Sequence, residues 1–266
     1  MLILWQFNIE RIAMHIRALC ALSLSAVAWS CLAQEEPSVT PYRPSVSTPA
    51  QLPTPGQLEM ELGVLSSKGD DGRRNSLPYT LKLAFNPEWG VLLGGDAFVS
   101  TPDGNGGRAR GLGDTTLVLK RAFIVDDATA FGLELGAKAP TARDSIGSGK
   151  ADYSINGIFS RDLGSVHMDL NLNATRLGAY EPDSARTQTG LQASFSAPVA
   201  DQWGVTCEWS GTRRSGADST AQILLAATYS PSKLLTVDAG FIRGLNPATP
   251  DWSFFTGMVF PLARLW

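Results

Sequence analysis

Nine polar residues in this sequence are of types, and at spacings, that could do chemistry: Glu134, Lys138, Asp152, Asn156, His167, Asp169, Asn171, Glu208 and Asp238. They alternate with apolar neighbours. His167, Asp169 and Asn171 interleave with Met168, Leu170 and Leu172, and Glu134 and Lys138 interleave with Leu133, Leu135 and Ala137. Residues two apart on a strand share a face, so turning the apolar set to one medium turns the polar set to the other. Carboxylates, amides, a lysine and an imidazole on a common inner wall could select solutes by charge and pore width. They could equally pair with one another and fill a narrow interior.

Catalysis is the rival chemistry. Once the segment 1–33 is removed, His167 is the sole histidine, so a lipid-hydrolysing mechanism would need it as general base, with Ser154 or Ser160 on the same face as nucleophile. Parity turns His167 inward, away from any lipid ester, which favours a place in the wall. No His/Cys cluster has zinc-ligand spacing, so neither a metal nor a cofactor is expected. The stretches Lys68–Arg74 and Asp103–Arg110 lack the acidic ligand run and closing Glu of a calcium loop. No helix follows the second, as a phosphate cradle would require. Both are expected to be solvated loops whose cations meet lipopolysaccharide phosphates.

The elements that must position these residues follow from the same alternation. Leu58–Val64, Tyr79–Phe85, Phe131–Ala139 and Val166–Leu172 alternate without the three- and four-residue spacing of a helix. Weaker copies occupy 89–99, 113–123, 151–160, 187–197, 203–210, 220–229, 234–242 and 252–262, for about twelve strands, most long enough to cross a bilayer when tilted. Long polar connections (66–77, 100–111, 140–150, 179–186, 211–219, 243–251) alternate with short ones (86–88, 124–128, 161–165, 198–202, 230–233). Long extracellular loops and short periplasmic turns are the rhythm of an up-and-down antiparallel transmembrane β-barrel, an all-β fold. Tyr79, Trp89, Phe123, Tyr153, Trp203, Tyr229 and Trp252 lie near strand ends, as interfacial girdles would. Pro261 suggests that the last strand stops pairing there.

Upstream, Arg17, the apolar run Ala18–Trp29 and Cys31-Leu32-Ala33 read as a signal peptide cut after residue 33, with Met14 a candidate start. Trp29 makes a poor lipidation site of Cys31. Residues 34–56, with prolines at 37, 41, 44, 49, 53 and 55, read as an extended periplasmic linker, and 57–266 as the barrel. The exported chain keeps only Cys207, so no internal disulfide is available. Its 20 basic and 24 acidic side chains give no basic surplus for nucleic acid.

Gly111-Leu-Gly-Asp-Thr-Thr-Leu-Val-Leu-Lys120 resembles a GLGDxxLxxK strand in a family of outer-membrane transporters named after the meta-cleavage pathway of phenol degradation. Lys138-Ala-Pro-Thr141, Gly147-Ser-Gly149, Asp152-Tyr-Ser154 and Arg161-Asp-Leu-Gly164 resemble the elements that follow in the same family. The resemblance is densest over 110–180. It implies an outer-membrane barrel that passes small, aromatic or hydrophobic solutes, and it supplies no catalytic residue.

The expected protein is therefore an outer-membrane channel rather than an enzyme. Its expected partners are outer-membrane lipid and lipopolysaccharide, the barrel-assembly machinery that reads an aromatic-ended last strand, and a small-molecule solute. The alternative is a non-conducting structural or adhesive barrel. Ion conductance separates the two.

Overall fold

The computed structural model describes residues 37–266; the signal-peptide reading of 1–33 lies outside them. The first seven strands are β1 (Gln57–Gly69), β2 (Gly72–Ala84), β3 (Trp89–Pro102), β4 (Arg108–Gly111), β5 (Thr115–Asp126), β6 (Thr129–Ala139) and β7 (Asp152–Leu163). The remaining six are β8 (Val166–Arg176), β9 (Thr187–Ala200), β10 (Trp203–Arg213), β11 (Thr220–Ser232), β12 (Leu235–Gly244) and β13 (Trp252–Arg264). Each pairs antiparallel with its neighbour, and β1 pairs with β13 from Gln57↔Arg264 to Lys68↔Trp252, which closes the sheet. The short β4 and β5 share one stave: β3 pairs with β5 over Trp89–Gly95 and with β4 over Val99–Pro102. The result is a closed barrel of twelve staves.

Alternation assigns the two faces. Leu62, Val64, Leu117, Leu133, Leu135, Ile155, Leu172 and Phe254 are exposed on the outside. Lys82, Lys120, Glu59 and Glu208, fully buried, are among the largest side chains inside. A water-soluble domain has the opposite arrangement. An apolar band outside a charged interior is stable only where hydrocarbon covers the band. Aromatic contacts edge that band: Trp203 against Tyr229 (4.8 Å) at the end with the short turns, Trp252 against Phe254 (5.0 Å) at the end with the long loops. The long-loop end is extracellular and the short-turn end periplasmic.

Several sequence expectations change. The connection 66–77 is not a loop: β1 and β2 run on as a ladder to Gly69↔Gly72, leaving Asp70–Asp71 as the turn. The ladder outlasts the apolar alternation because both faces meet water beyond the bilayer. The connection 100–111 is likewise partly strand, since β4 folds back on β3. Pro261 does not end the last strand, because pairing runs on to Arg264 across a register shift that leaves Leu262 unopposed. Pro78, Pro198 and Pro231 also lie at or beside register shifts. A bulge removes the need for the N–H that proline lacks.

The largest correction concerns the stretch 34–56, expected as an extended periplasmic linker, of which the structure describes residues from 37 onward. Val39 enters at the periplasmic rim, its N–H donating to the Lys233 carbonyl (2.8 Å), and the chain returns to the rim at Gly56, whose N–H donates to the Ala84 carbonyl (3.0 Å). Between these points the segment is folded inside the barrel, with Tyr42, Ser47 and Ala50 buried. Its prolines bar it from a ladder, but the wall presents side-chain donors and acceptors in place of strands.

Candidate functional site

The lumen is built where inward positions of successive strands face the 38–50 segment. On β1 and β2, the buried Lys82 ammonium lies 3.0 Å from Glu59 and 2.7 Å from Glu61. The same two carboxylates accept backbone N–H groups of the segment, Glu59 from Thr40 (3.2 Å) and Glu61 from Tyr42 (2.7 Å). Lys82 also donates to the Thr40 carbonyl. Lys120 on β5 pairs with Glu134 on β6 (3.0 Å) and donates to the Pro49 carbonyl (2.5 Å). Both ammonium groups lie over the Tyr42 ring, Lys82 Nζ 4.3 Å and Lys120 Nζ 4.2 Å from its centroid. Both cations meet a ring face within range of a cation–π attraction, which strengthens with desolvation.

Around the rest of the wall the segment is held residue by residue. Arg43 forms a two-pronged pair with Asp238 on β12, both contacts at 2.9 Å. Gly63 and Gly257, opposite each other on β1 and β13, make room for its guanidinium: a Cβ at either would come within 2.9 Å of it. Ser45 and Ser194 Oγ atoms are 2.9 Å apart. Glu208 accepts from the Val46 N–H, the Ser47 N–H and the Ser47 hydroxyl, each at 2.9 Å. The Asn171 amide pairs with the Thr48 backbone in both directions at 2.9 Å, and the Thr48 hydroxyl donates to Glu134. Ala50 donates to the Ser160 hydroxyl (2.8 Å) and packs on Ala130 and Ile158.

Six of the nine wall residues singled out above thus touch the segment or a residue holding it: Glu134, Asn156, Asn171, Glu208 and Asp238 with it directly or through Thr48, and Asp169 through Ser160. The other three lie toward the ends. Lys138 joins Asp152 (2.6 Å) and Asp114 (3.3 Å) at the extracellular side, and Asp152 also accepts from the Gly178 N–H (2.8 Å). The Gly111–Lys120 stretch and the motif residues that follow it converge here, since Ala142 donates to Asp114 and Lys138 to Ser148. His167 stands toward the periplasmic end with its ring nitrogens facing Asp162 (2.5 Å) and Asp169 (3.2 Å). Ser160 is buried and donates its hydroxyl to Asp169, so it is not aimed at His167. Outside the span, the loop carboxyl of Glu181 is held below its usual range by its own backbone N–H, the Ser184 hydroxyl and Arg214.

Sequence reasoning missed Tyr42, Arg43, Glu59, Glu61, Lys82 and Lys120. The last four were accessible by parity, since they alternate with Leu58, Met60, Leu81 and Leu119. Tyr42 and Arg43 carry no such signal.

Two cavities meet this segment. One of about 820 Å³ opens among the periplasmic turns and is bounded by His167, Asp169 and Ser194. The other, about 300 Å³, lies beyond it, between Thr80, Leu92, Thr116, Val118 and Glu134. Tyr42, Arg43 and Ser45 border both. They form the partition between the cavities.

An inside-out, closed, twelve-stave barrel of this kind is an outer-membrane β-barrel. The chain belongs to the family described as "Putative MetA-pathway of phenol degradation", which it matches over residues 43–262. Among solved structures it is similar to an outer membrane channel from Pseudomonas putida F1, with a TM-score of 0.63 and 15% identity over 84% of this chain and 100% of that one. The NanC porin (TM-score 0.54, 9% identity, 77% of this chain and 100% of that one) and the KdgM porin (0.53, 8%, 77% and 99%) share the fold. No curated protein sequence is similar enough to this chain to count as a relative.

Proposed function

We propose that this protein is an outer-membrane channel for passive passage of small aromatic or hydrophobic solutes, and that its own segment 38–50 is the gate. The observation that carries this reading is the partition: a cavity of about 820 Å³ from the periplasmic turns and one of about 300 Å³ deeper in the lumen both end on Tyr42, Arg43 and Ser45. A barrel with a purely structural role has no need for two cavities separated by one clamp. The inner cavity mixes apolar Leu92 and Val118 with the hydroxyls of Thr80 and Thr116. Such a lining suits a small ring bearing one polar group. The family description, which concerns phenol degradation, supports the same solute class.

The proposal assigns no catalytic role. A hydrolase built on His167 would need a nucleophile facing a free ring nitrogen, and both nitrogens face carboxylates. The competing reading, a barrel that never conducts, draws on the same segment and differs only in whether it moves.

Planar-bilayer recordings of the native chain and Arg43→Ser test the proposal. Losing the clamp to Asp238 is expected to raise open probability several-fold, and a hydroxybenzoate is expected to block the current transiently while a sugar of similar size does not. Silence from both proteins, each folded by heat-modifiable mobility, would leave the non-conducting barrel. Equal blockade by the two solutes would overturn the aromatic preference alone.

A further inference from the structure

The outer surface carries an unneutralised row of cations at the extracellular rim. Strand register places Arg243 on β12 beside Trp252 on β13, Trp252 beside Lys68 on β1, and Lys68 beside Arg73 on β2. Arg108 on β4 continues the row, its guanidinium donating to the Arg73 carbonyl (2.9 Å), and Arg110 follows two residues on. The row faces outward. Ser253 and Ser67 on these strands turn inward and meet at 2.8 Å, which turns Trp252 and Lys68 the other way. The Trp252 ring touches the lipid-facing Phe254, and the Arg73 guanidinium lies 5.4 Å above it.

All five cations are exposed, and none forms an ion pair with a carboxylate of the described residues, whereas Arg43, Lys82 and Lys120 of the interior all do. The nearby acids do not neutralise the row. Asp70 borders the same cavity as Arg243 but makes no ion pair with it, Asp71 completes the turn, Asp103 accepts the N–H groups of its own loop, and Asp251 offers Arg243 its backbone carbonyl rather than its carboxylate. Neighbouring strands lie about 4.8 Å apart, so Lys68 and Arg73 on adjacent strands, with Arg243 and Arg108 each two strands further on, are spaced to bracket phosphate groups.

We propose that this rim, from β12 through β4, is a binding site for the phosphorylated glucosamine headgroup of lipopolysaccharide, with Trp252 as its aromatic floor. The outer leaflet at this height presents such phosphates, and its acyl chains would continue down the apolar wall at Phe254 and Leu62.

The test uses the full-length barrel in detergent, titrated with purified lipopolysaccharide and read by native mass spectrometry. Lys68→Gln/Arg73→Gln/Arg243→Gln should weaken binding, by about fivefold for each charge removed if each cation contributes as near an anionic membrane surface. Arg176→Gln/Arg213→Gln, removing two cations across the barrel, should change little, and Lys68→Arg/Arg73→Lys should keep the affinity. Enzymatically dephosphorylated lipopolysaccharide should bind the native chain and the triple variant alike. Undiminished binding by the triple variant, an equal loss in the far-side variant, or tight binding of the dephosphorylated lipid would each overturn the site.

Discussion

At the scale of single residues, the interior is organised by charges that cannot reach bulk water. Lys120 is fully buried, 3.0 Å from Glu134, and also meets the Tyr42 ring and the Pro49 carbonyl. Removing one partner of such a pair strands the other, at a cost of about 3–5 kcal/mol, whereas replacing both by apolar groups of similar volume is often tolerated. Lys120→Met is therefore expected to lower the unfolding midpoint in urea and detergent sharply, and adding Glu134→Leu should recover most of the loss. A double variant as unstable as the single one would mean that Glu134 is held by Thr48 and Asn156 rather than by Lys120. Lys82 differs, because two carboxylates and a carbonyl surround it, so neutralising the lysine would strand both Glu59 and Glu61.

At the scale of elements, the question is whether the 38–50 segment is a fixed filling or a moving part. Its contacts are individual hydrogen bonds, wall side chains to segment backbone at Thr40, Tyr42, Val46, Pro49 and Ala50 and side chain to side chain at Arg43 and Ser45, with no ladder that must unzip cooperatively. Ser45 and Ser194, whose Oγ atoms are 2.9 Å apart, offer a lock. In a Cys207→Ser background, Ser45→Cys/Ser194→Cys should form a disulfide that silences the conductance, and reduction should restore it. Oxidised channels that still conduct would show that solutes pass without displacing the segment. The strands were legible in sequence wherever hydrocarbon and lumen impose opposite demands, as at Leu58–Val64 and Phe131–Ala139. Legibility failed above the bilayer, at 66–77, where a paired strand has water on both faces and no alternation to betray it. It failed again at the prolines of 41–55. A proline-rich stretch reads as a linker because it cannot join a sheet, and nothing local reveals that Glu61, Glu208 and Asn171, far along the chain, supply its hydrogen bonds.

At the scale of the whole molecule, the barrel has two coupled properties: an apolar outer band that fixes it in the outer membrane, and an acidic lumen that its own N-terminal segment covers. Six carboxylates (Glu59, Glu61, Glu134, Asp169, Glu208 and Asp238) line the wall around the segment against two lysines, Lys82 and Lys120. The segment offsets the excess with Arg43 and with the N–H groups of Thr40, Tyr42, Val46 and Ser47. Under the proposed gating, displacing it would uncover a net-negative wall that should favour cations. One measurement tests both parts of the account: single-channel conductance and reversal potential, under a salt gradient, of the native chain and of a variant lacking residues 38–50. The account predicts that the shortened chain conducts in larger, steadier steps with clear cation preference, which Glu208→Lys shifts toward anions. A shortened barrel that folds but matches the native chain in step size and selectivity would contradict it.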